Sequence, residues 1–197
     1  MDGMKEEIAA IAARLVVEDG LEFGPAKRRA VKQMGLGART ALPDNDAVLE
    51  QVREYIALFC SDTQPAELLA LRTLALQWMQ RLHRFRPYIA GAVWNGTATR
   101  RSDIALQLFC DDPKSAEIEL IDWGIRFDAS TVTGLHGRPV DVLSIQVACA
   151  QLQEYVGLHL MVYDLDDLRG ALVPNSQGWR LRGDKMALER LVHDRAL

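Results

Sequence analysis

From the N-terminus to Phe85 the apolar residues of this chain recur at helical intervals, and beyond Arg86-Pro87 they alternate as strands do. Residues 4 to 19 place Ile8, Ile11, Ala12, Leu15 and Val16 on one side and Lys5, Glu6, Glu7 and Arg14 on the other, with Asp19-Gly20 closing the helix. A second helix is expected from Pro25, suited to a first turn, to Gly35 as its terminator. Asp44 or Asn45 can cap a third, whose stripe is Val48, Val52, Tyr55, Ile56 and Phe59. After a turn at Ser61-Asp62-Thr63, Pro65 opens a fourth helix that runs to about Phe85. Its stripe is Leu68, Leu71, Leu74, Ala75, Trp78, Leu82 and Phe85, while Leu69 and Leu76 lie off it. A helix apolar on more than one side is expected at the centre of a bundle.

Tyr88 to Trp94 then reads as an apolar strand interrupted by Gly91, and Asn95-Gly96 as a turn leading through Thr97, Ala98 and Thr99 to Arg100 and Arg101. From Ser102 the side chains alternate. Ile104, Leu106, Leu108 and Cys110 share one face, and Asp103, Ala105, Gln107 and Phe109 share the other. The remainder predicts a helix from Asp112-Pro113 to Trp123, a strand from Ile125 to Val132, a glycine turn from Thr133 to Gly137, and a strand from Pro139 to Val147 bearing Asp141. A short helix from Ala148 to Tyr155, a buried strand from Leu158 to Tyr163, an edge strand from Gly178 to Leu181 and a terminal helix from Asp184 to His193 complete it. The acidic run from Asp164 to Asp167 lacks the glycine and later Glu of a calcium loop and reads as a cap or solvated turn. The fold class is therefore α+β, an N-terminal helical bundle over 1–86 followed by a mixed sheet with flanking helices over 87–197.

Composition narrows the function classes. At 197 residues and 49% hydrophobic, the chain can bury one large core or two small ones. Its 23 Lys and Arg against 27 Asp and Glu give a net charge of -4, which argues against holding nucleic acid by bulk charge. The densest basic cluster, Lys27, Arg28, Arg29 and Lys32, reads as a solvated helix face, with a phosphate contact as the sharper alternative. No apolar run approaches the roughly 18 residues of a membrane helix, and MDGMKEE lacks a signal-peptide pattern, so a cytoplasmic protein is expected. Cys60, Cys110 and Cys149 lie in separate apolar segments and are expected as buried thiols. His83, His136, His159 and His193 show no ligand spacing, and there is no zinc motif.

The stretch Tyr88 to Leu108, YIAGAVWNGTATRRSDIALQL, resembles the nucleotidyltransferase superfamily typified by DNA polymerase beta. There a strand ends in Gly-Ser and an Asp-x-Asp pair follows, in a pattern such as GSRARGTARxxSDIDL. The corresponding residues here are Gly91, Gly96-Thr97-Ala98, Ser102-Asp103-Ile104 and Leu106, in register without a gap. Val140-Asp141-Val142-Leu143 looks like the segment carrying the third carboxylate. The resemblance implies that Asp103 and Asp141 are catalytic and hold Mg²⁺ between adjacent strands. It further implies that Gly91, Asn95, Gly96, Thr97, Arg100, Arg101 and Ser102 bind a nucleoside triphosphate, with the acceptor left open.

Two departures bear on activity. Ala92 stands where the family has the Ser of Gly-Ser, and Ala105 where it has the second Asp. Residue 105 shares the face of Asp103, and a methyl group cannot coordinate Mg²⁺. Asp111 and Asp112 lie too far along the strand to replace it, roughly 26 Å at about 3.3 Å per residue. The chain is thus read either as an enzyme transferring a nucleotidyl group or as a catalytically inactive relative that binds a nucleotide or a protein partner. A third reading, protein association through the helical half with an accidental fold match, follows if Tyr88–Trp94, Asp103–Cys110 and Pro139–Val147 are not neighbours in one sheet.

Overall fold

A computed structural model describes residues 2–174, 178 and 180–194. Their contacts define two compact units, Met1–Glu67 with Thr97–Ser102, and Leu68–Gly96 with Asp103–Leu197. The helical unit contains α1 (Asp2–Asp19), α2 (Phe23–Gln33), α3 (Asn45–Phe59) and the start of α4 (Gln64–Arg81). The expected stripes form its core: Ile8, Ala12, Ala30, Val48 and Val52 are fully buried. Asp44 is the cap of α3, its carboxylate accepting the Ala47 N–H at 2.7 Å. Phe59, the last residue of the α3 stripe, is 69% exposed and lies 4.7 Å from the Tyr55 ring, because the helix ends there and its last turn runs past the core.

The segment Thr97–Ser102 belongs to this helical unit, where side chains of α4 hold its backbone. Gln64 Nε2 donates to the Ala98 carbonyl at 2.8 Å, and the Arg100 N–H donates to Glu67 Oε2 at 2.9 Å. Gly20, at φ +68, lets the Arg101 carbonyl approach where a Cβ would stand only 2.5 Å from its oxygen.

In the sheet unit the chain continues through β1 (Tyr88–Ala90), α5 (Gly91–Asn95), β2 (Ile104–Cys110), α6 (Lys114–Asp122), β3 (Asp128–Thr133), β4 (Pro139–Cys149), β5 (Glu154–Asp164), α7 (Asp167–Ala171), β6 (Arg182–Gly183) and α8 (Lys185–His193). The strand order is β3-β4-β5-β2-β1-β6. Only β2 and β5 run parallel; the other neighbours are antiparallel. The three segments expected as neighbours lie in one sheet but are not all neighbours: β1 pairs with β2, whereas β5 separates β4 from β2. On one face Ile89, Ile104, Leu106, Leu108, Leu143, Ile145, Leu158 and Leu160 are almost wholly buried. This face is the unit's core.

Several expectations are corrected. The strand expected to reach Trp94 stops at Ala90, because Gly91 at φ 69 turns the chain into α5, and Gly96 at φ 89 ends that helix. Buried Arg72 secures the turn, with Nε donating to the Val93 carbonyl at 3.1 Å and Nη2 to the Trp94 carbonyl at 3.2 Å. No helix forms between Ala148 and Tyr155. Instead β4 runs on to Cys149, paired with Glu154, and Gln153 takes the left-handed conformation at φ 55 that closes the turn. The strand expected from Ile125 begins only at Asp128. The acidic run forms a turn in which Asp164 Oδ1 accepts the Asp166 N–H at 2.9 Å ahead of α7. The edge strand expected from Gly178 to Leu181 lies partly outside the described residues; the pairing that is described is that of Arg182–Gly183. Cys110 and Cys149 are buried free thiols, whereas Cys60 is partly exposed. Among the described residues no helix is long and apolar enough to cross a membrane.

Candidate functional site

Residues directly opposite one another in a ladder point to the same side of a sheet, so register assigns each polar side chain a face. Ile104 lies opposite Leu158, which brings Gly157, His159, Met161 and Tyr163 of β5 onto the face of Asp103, Ala105, Gln107 and Phe109. Ser144 of β4 joins them opposite His159. On the other side of β2, Ala90 lies opposite Ala105 and Arg182 opposite Ala90. This second face is polar at the Asp103 end, while further along it Phe109, Val140, Tyr163 and Ala171 form a buried apolar cluster.

At its centre Asp103, His159 and Ser144 form a hydrogen-bonded row. Asp103 Oδ2 is 3.0 Å from His159 Nε2, and His159 Nδ1 is 2.8 Å from Ser144 Oγ. The other Asp103 oxygen accepts the Gly157 N–H at 3.2 Å. The row is satisfied by a neutral imidazole that donates from Nε2 and accepts the Ser144 hydroxyl hydrogen, or by an imidazolium that donates from both nitrogens. The hydrogen bond from His159 holds the Asp103 carboxyl below its ordinary value; partial burial opposes that shift, and the His159 charge and the Gly157 N–H reinforce it. Because the folded value is the lower one, the contact stabilises the fold above the unfolded carboxyl value of about 3.9 and is lost as the pH falls through the folded value. Its contribution is small, since the Asp103 side chain is 55% exposed.

Gly157 makes this arrangement possible. A Cβ there would stand 2.5 Å from Asp103 Oδ1 and 2.6 Å from its Cγ, so the carboxylate lies in the space that any other residue would fill. Gly157→Ala is therefore expected to displace Asp103 from His159 and to destabilise the sheet unit by about 1–3 kcal/mol, the usual cost of overpacking. Urea unfolding of the variant checks this, and a midpoint equal to wild type would show that the carboxylate does not occupy that space.

Asp141 does not join the row. The expectation that Asp103 and Asp141 face one another across adjacent strands is overturned by the topology. β4 and β2 are separated by β5, and Asp141 lies opposite Val162, itself opposite Leu108. Asp141 is thus on the opposite face from Asp103, with the two Cα atoms about 19 Å apart by strand spacing and rise. There it accepts a hydrogen bond from Thr131 Oγ1 at 3.3 Å and lines a small cavity with Lys114, Glu117 and Leu143. One ion cannot touch both carboxylates. The residue that β5 sets beside position 105 is His159, in the midst of an apolar run. Among the described residues no second carboxylate stands beside Asp103 on this face, so the carboxylate pair that shares an ion in the family is not formed. Among the described residues no group of three or more His, Cys, Asp or Glu is placed to hold a metal.

The other expected site residues are divided between the units. Gly91, Asn95 and Gly96 form the ends of α5 in the sheet unit. Thr97, Arg100, Arg101 and Ser102 belong to the helical unit, where Ser102 Oγ accepts the Thr99 N–H at 3.0 Å in a tight turn. Lys27, of the basic cluster, donates to the Pro43 carbonyl and to Asn45, and Arg29 pairs with Asp19 at 3.1 Å, so part of that cluster serves the helical fold itself.

Sequence reasoning missed His159, Ser144 and Gly157. The signal for His159 was the alternation Gly157, His159, Met161, Tyr163 against Leu158, Leu160, Val162, which marks a two-faced strand. The Asp-His-Ser row is not arranged for nucleophilic catalysis by Ser144. That residue lies within β4, opposite Asp128 at the start of β3 and His159 of β5, and its hydroxyl meets His159 Nδ1 rather than the Nε2 that faces Asp103.

No protein-family model matches the chain, and no curated protein matches it in sequence. Among solved structures, part of the chain is similar to the Cid1 poly(U) polymerase, in a crystal structure with MgGTP bound. The TM-score is 0.34 and the identity 14%; the match covers 48% of this chain and 32% of that one.

Proposed function

We propose that the sheet unit is a nucleotidyltransferase-like module that binds a nucleotide without carrying out metal-bridged transfer. Two things support this reading. Within the sheet unit, Gly91, Gly96 and Asp103-Ile104 keep the register of the nucleotide-binding stretch of the family the chain resembles. The observation that carries the rest is the Asp103 carboxylate, held by His159 Nε2 and the Gly157 N–H beside the methyl group of Ala105. In such a site Asp103 is a hydrogen-bond acceptor for a bound hydroxyl or base edge, and charge neutralisation by two carboxylate-held ions plays no part.

Titration calorimetry with ATP, GTP, CTP and UTP, each in EDTA and in millimolar Mg²⁺, tests this. At least one nucleotide should bind, with the two dissociation constants agreeing within about threefold, or ~0.7 kcal/mol. Binding that requires Mg²⁺, together with transfer of labelled nucleotide to any acceptor, would establish the enzymatic reading in its place.

A further inference from the structure

Where the parallel strands β2 and β5 end side by side, at Cys110 and Asp164, the sheet unit has another cavity, of about 280 Å³. The carboxyl ends of parallel strands are where open α/β sheets leave a crevice for a ligand. Asp103 precedes the other end of β2, roughly 23 Å away at about 3.3 Å per residue, so this cavity is separate from the Asp103 row. Its floor is apolar and uncharged. Phe85 and Phe109 are packed from behind, Leu165 is half-buried, and the Cys110 thiol is buried as well. Burial pushes that thiol up, a hydrogen bond with Ser115 opposes the shift, and the charges of Asp112, Asp111 and Asp164 add to it, so Cys110 is uncharged near neutral pH.

Charged groups of both signs stand around this floor, and two of them are already engaged. Arg84 pairs with Glu119 at 2.7 Å and lies over the Phe85 ring. Asp112 Oδ1 accepts the Lys114 N–H at 2.9 Å, while Ser115 Oγ donates to the Asp112 carbonyl at 2.6 Å. Two charges are left over. Both Arg86 and Asp111 line the cavity, yet among the described residues the guanidinium and the carboxylate make no ion pair or side-chain hydrogen bond, with each other or with another group. Arg86 also takes a backbone conformation that its residue type does not favour. Its φ of 47 is left-handed, where a side chain is uncommon, and Pro87 follows, before which extended backbone is the rule. Glycine would close this turn with less strain, so what the residue adds is a guanidinium at the rim of the cavity.

An unpaired cation and an unpaired anion on one small cavity are matched by a molecule that carries both complements. A simple anion would be set against Asp111 and a simple cation against Arg86, and like charges brought together are penalised. The volume lies just below the roughly 300–1,000 Å³ of ligand pockets, which suits a molecule smaller than a nucleotide. We propose that this cavity binds a free α-amino acid with a small apolar side chain. Arg86 takes the carboxylate, Asp111 takes the ammonium, and the side chain lies on Leu165 and Cys110. The site stands on Arg86 and Asp111 and does not require the nucleotide reading of Asp103.

The test is calorimetric titration of the full chain with L-alanine, L-leucine and L-methionine, for wild type, Arg86→Gly and Asp111→Asn. The amide and the N-acetyl derivative of whichever binds most tightly are titrated alongside, since the first lacks the carboxylate and the second the ammonium. At least one free amino acid should bind wild type, and each blocked derivative should bind about tenfold or more weakly, as expected for losing a hydrogen bond between charged groups. Arg86→Gly should weaken the free amino acid by about tenfold and the amide not at all, because the amide has already lost the group that Arg86 reads. Asp111→Asn should weaken the free amino acid severalfold and leave the N-acetyl derivative unchanged. Without ligand, Arg86→Gly should melt no lower than wild type, because glycine takes the left-handed conformation readily, so its lost binding is not lost folding. If no free amino acid binds wild type, if the blocked derivatives bind as tightly, or if either variant binds the free amino acid as wild type does, the site is overturned.

Discussion

Leu106→Ala is expected to destabilise the sheet unit by about 2–5 kcal/mol, the range for removing a large aliphatic side chain from a packed core. Leu106 is fully buried in β2, between β1 and β5, and its ladder partners Ile89 and Leu160 are fully buried on the same face. The neighbours cannot collapse into the gap without shifting two paired strands, so the cavity term adds to the lost transfer energy. Ile121, 58% exposed on α6, is the internal control: Ile121→Ala should change stability by no more than about 0.5 kcal/mol. Urea unfolding measures both, and the denaturant slope should stay constant. Equal effects at the two positions would mean that the apolar face of β2 is not the core.

The same alternation that makes Leu106 a core residue decides how much of the molecule could be read from its sequence. Helical stripes over the first half are periodic enough to place α1 to α4, because burial of one face requires that spacing whatever the partner. In β2 the two faces were legible residue by residue, and the burial of Ile104, Leu106 and Leu108 follows the expected set. What periodicity does not contain is strand order. Asp103 and Asp141 were each placed on a strand, but whether β4 or β5 lies beside β2 is a long-range choice that leaves no local trace in either strand. The outcome moved Asp141 to the opposite face and put His159 where a carboxylate was expected. Gly91 shows a local failure of a different kind. Its neighbours are apolar enough for a strand, and only its left-handed φ, fixed by the α5 turn that Arg72 secures, ends the strand at Ala90. Gly157 was invisible as a site residue for a related reason. Its function is the absence of a Cβ that the Asp103 carboxylate would meet, and that depends on a residue far away in sequence.

Ala105→Asp is expected to give the site a metal response that the wild-type chain lacks. Position 105 lies two residues along β2 from Asp103, on the same face, opposite His159 on one side and Ala90 on the other. Without metal the two carboxylates repel, which raises the apparent proton affinity of the pair and lowers stability near neutral pH. A divalent ion that binds the folded state alone offsets this by about 2.7 kcal/mol at a concentration one hundred times its dissociation constant. For a chain of this size that corresponds to a rise of roughly 5–10 °C in melting temperature. With His159 as the third neighbour, Mn²⁺ should give the larger rise and Mg²⁺ the smaller, because imidazole suits a transition metal better than it suits Mg²⁺. His159 would have to release Asp103 to serve as a ligand, so Ala105→Asp combined with His159→Gln should keep a Mg²⁺ response and lose the Mn²⁺ preference. Melting of wild type and both variants in EDTA, Mg²⁺ and Mn²⁺ separates these outcomes. A rise of the same size in wild type and in Ala105→Asp would mean that residue 105 does not face Asp103 across an ion-sized gap, and the assignment of this face as the functional one would have to be given up.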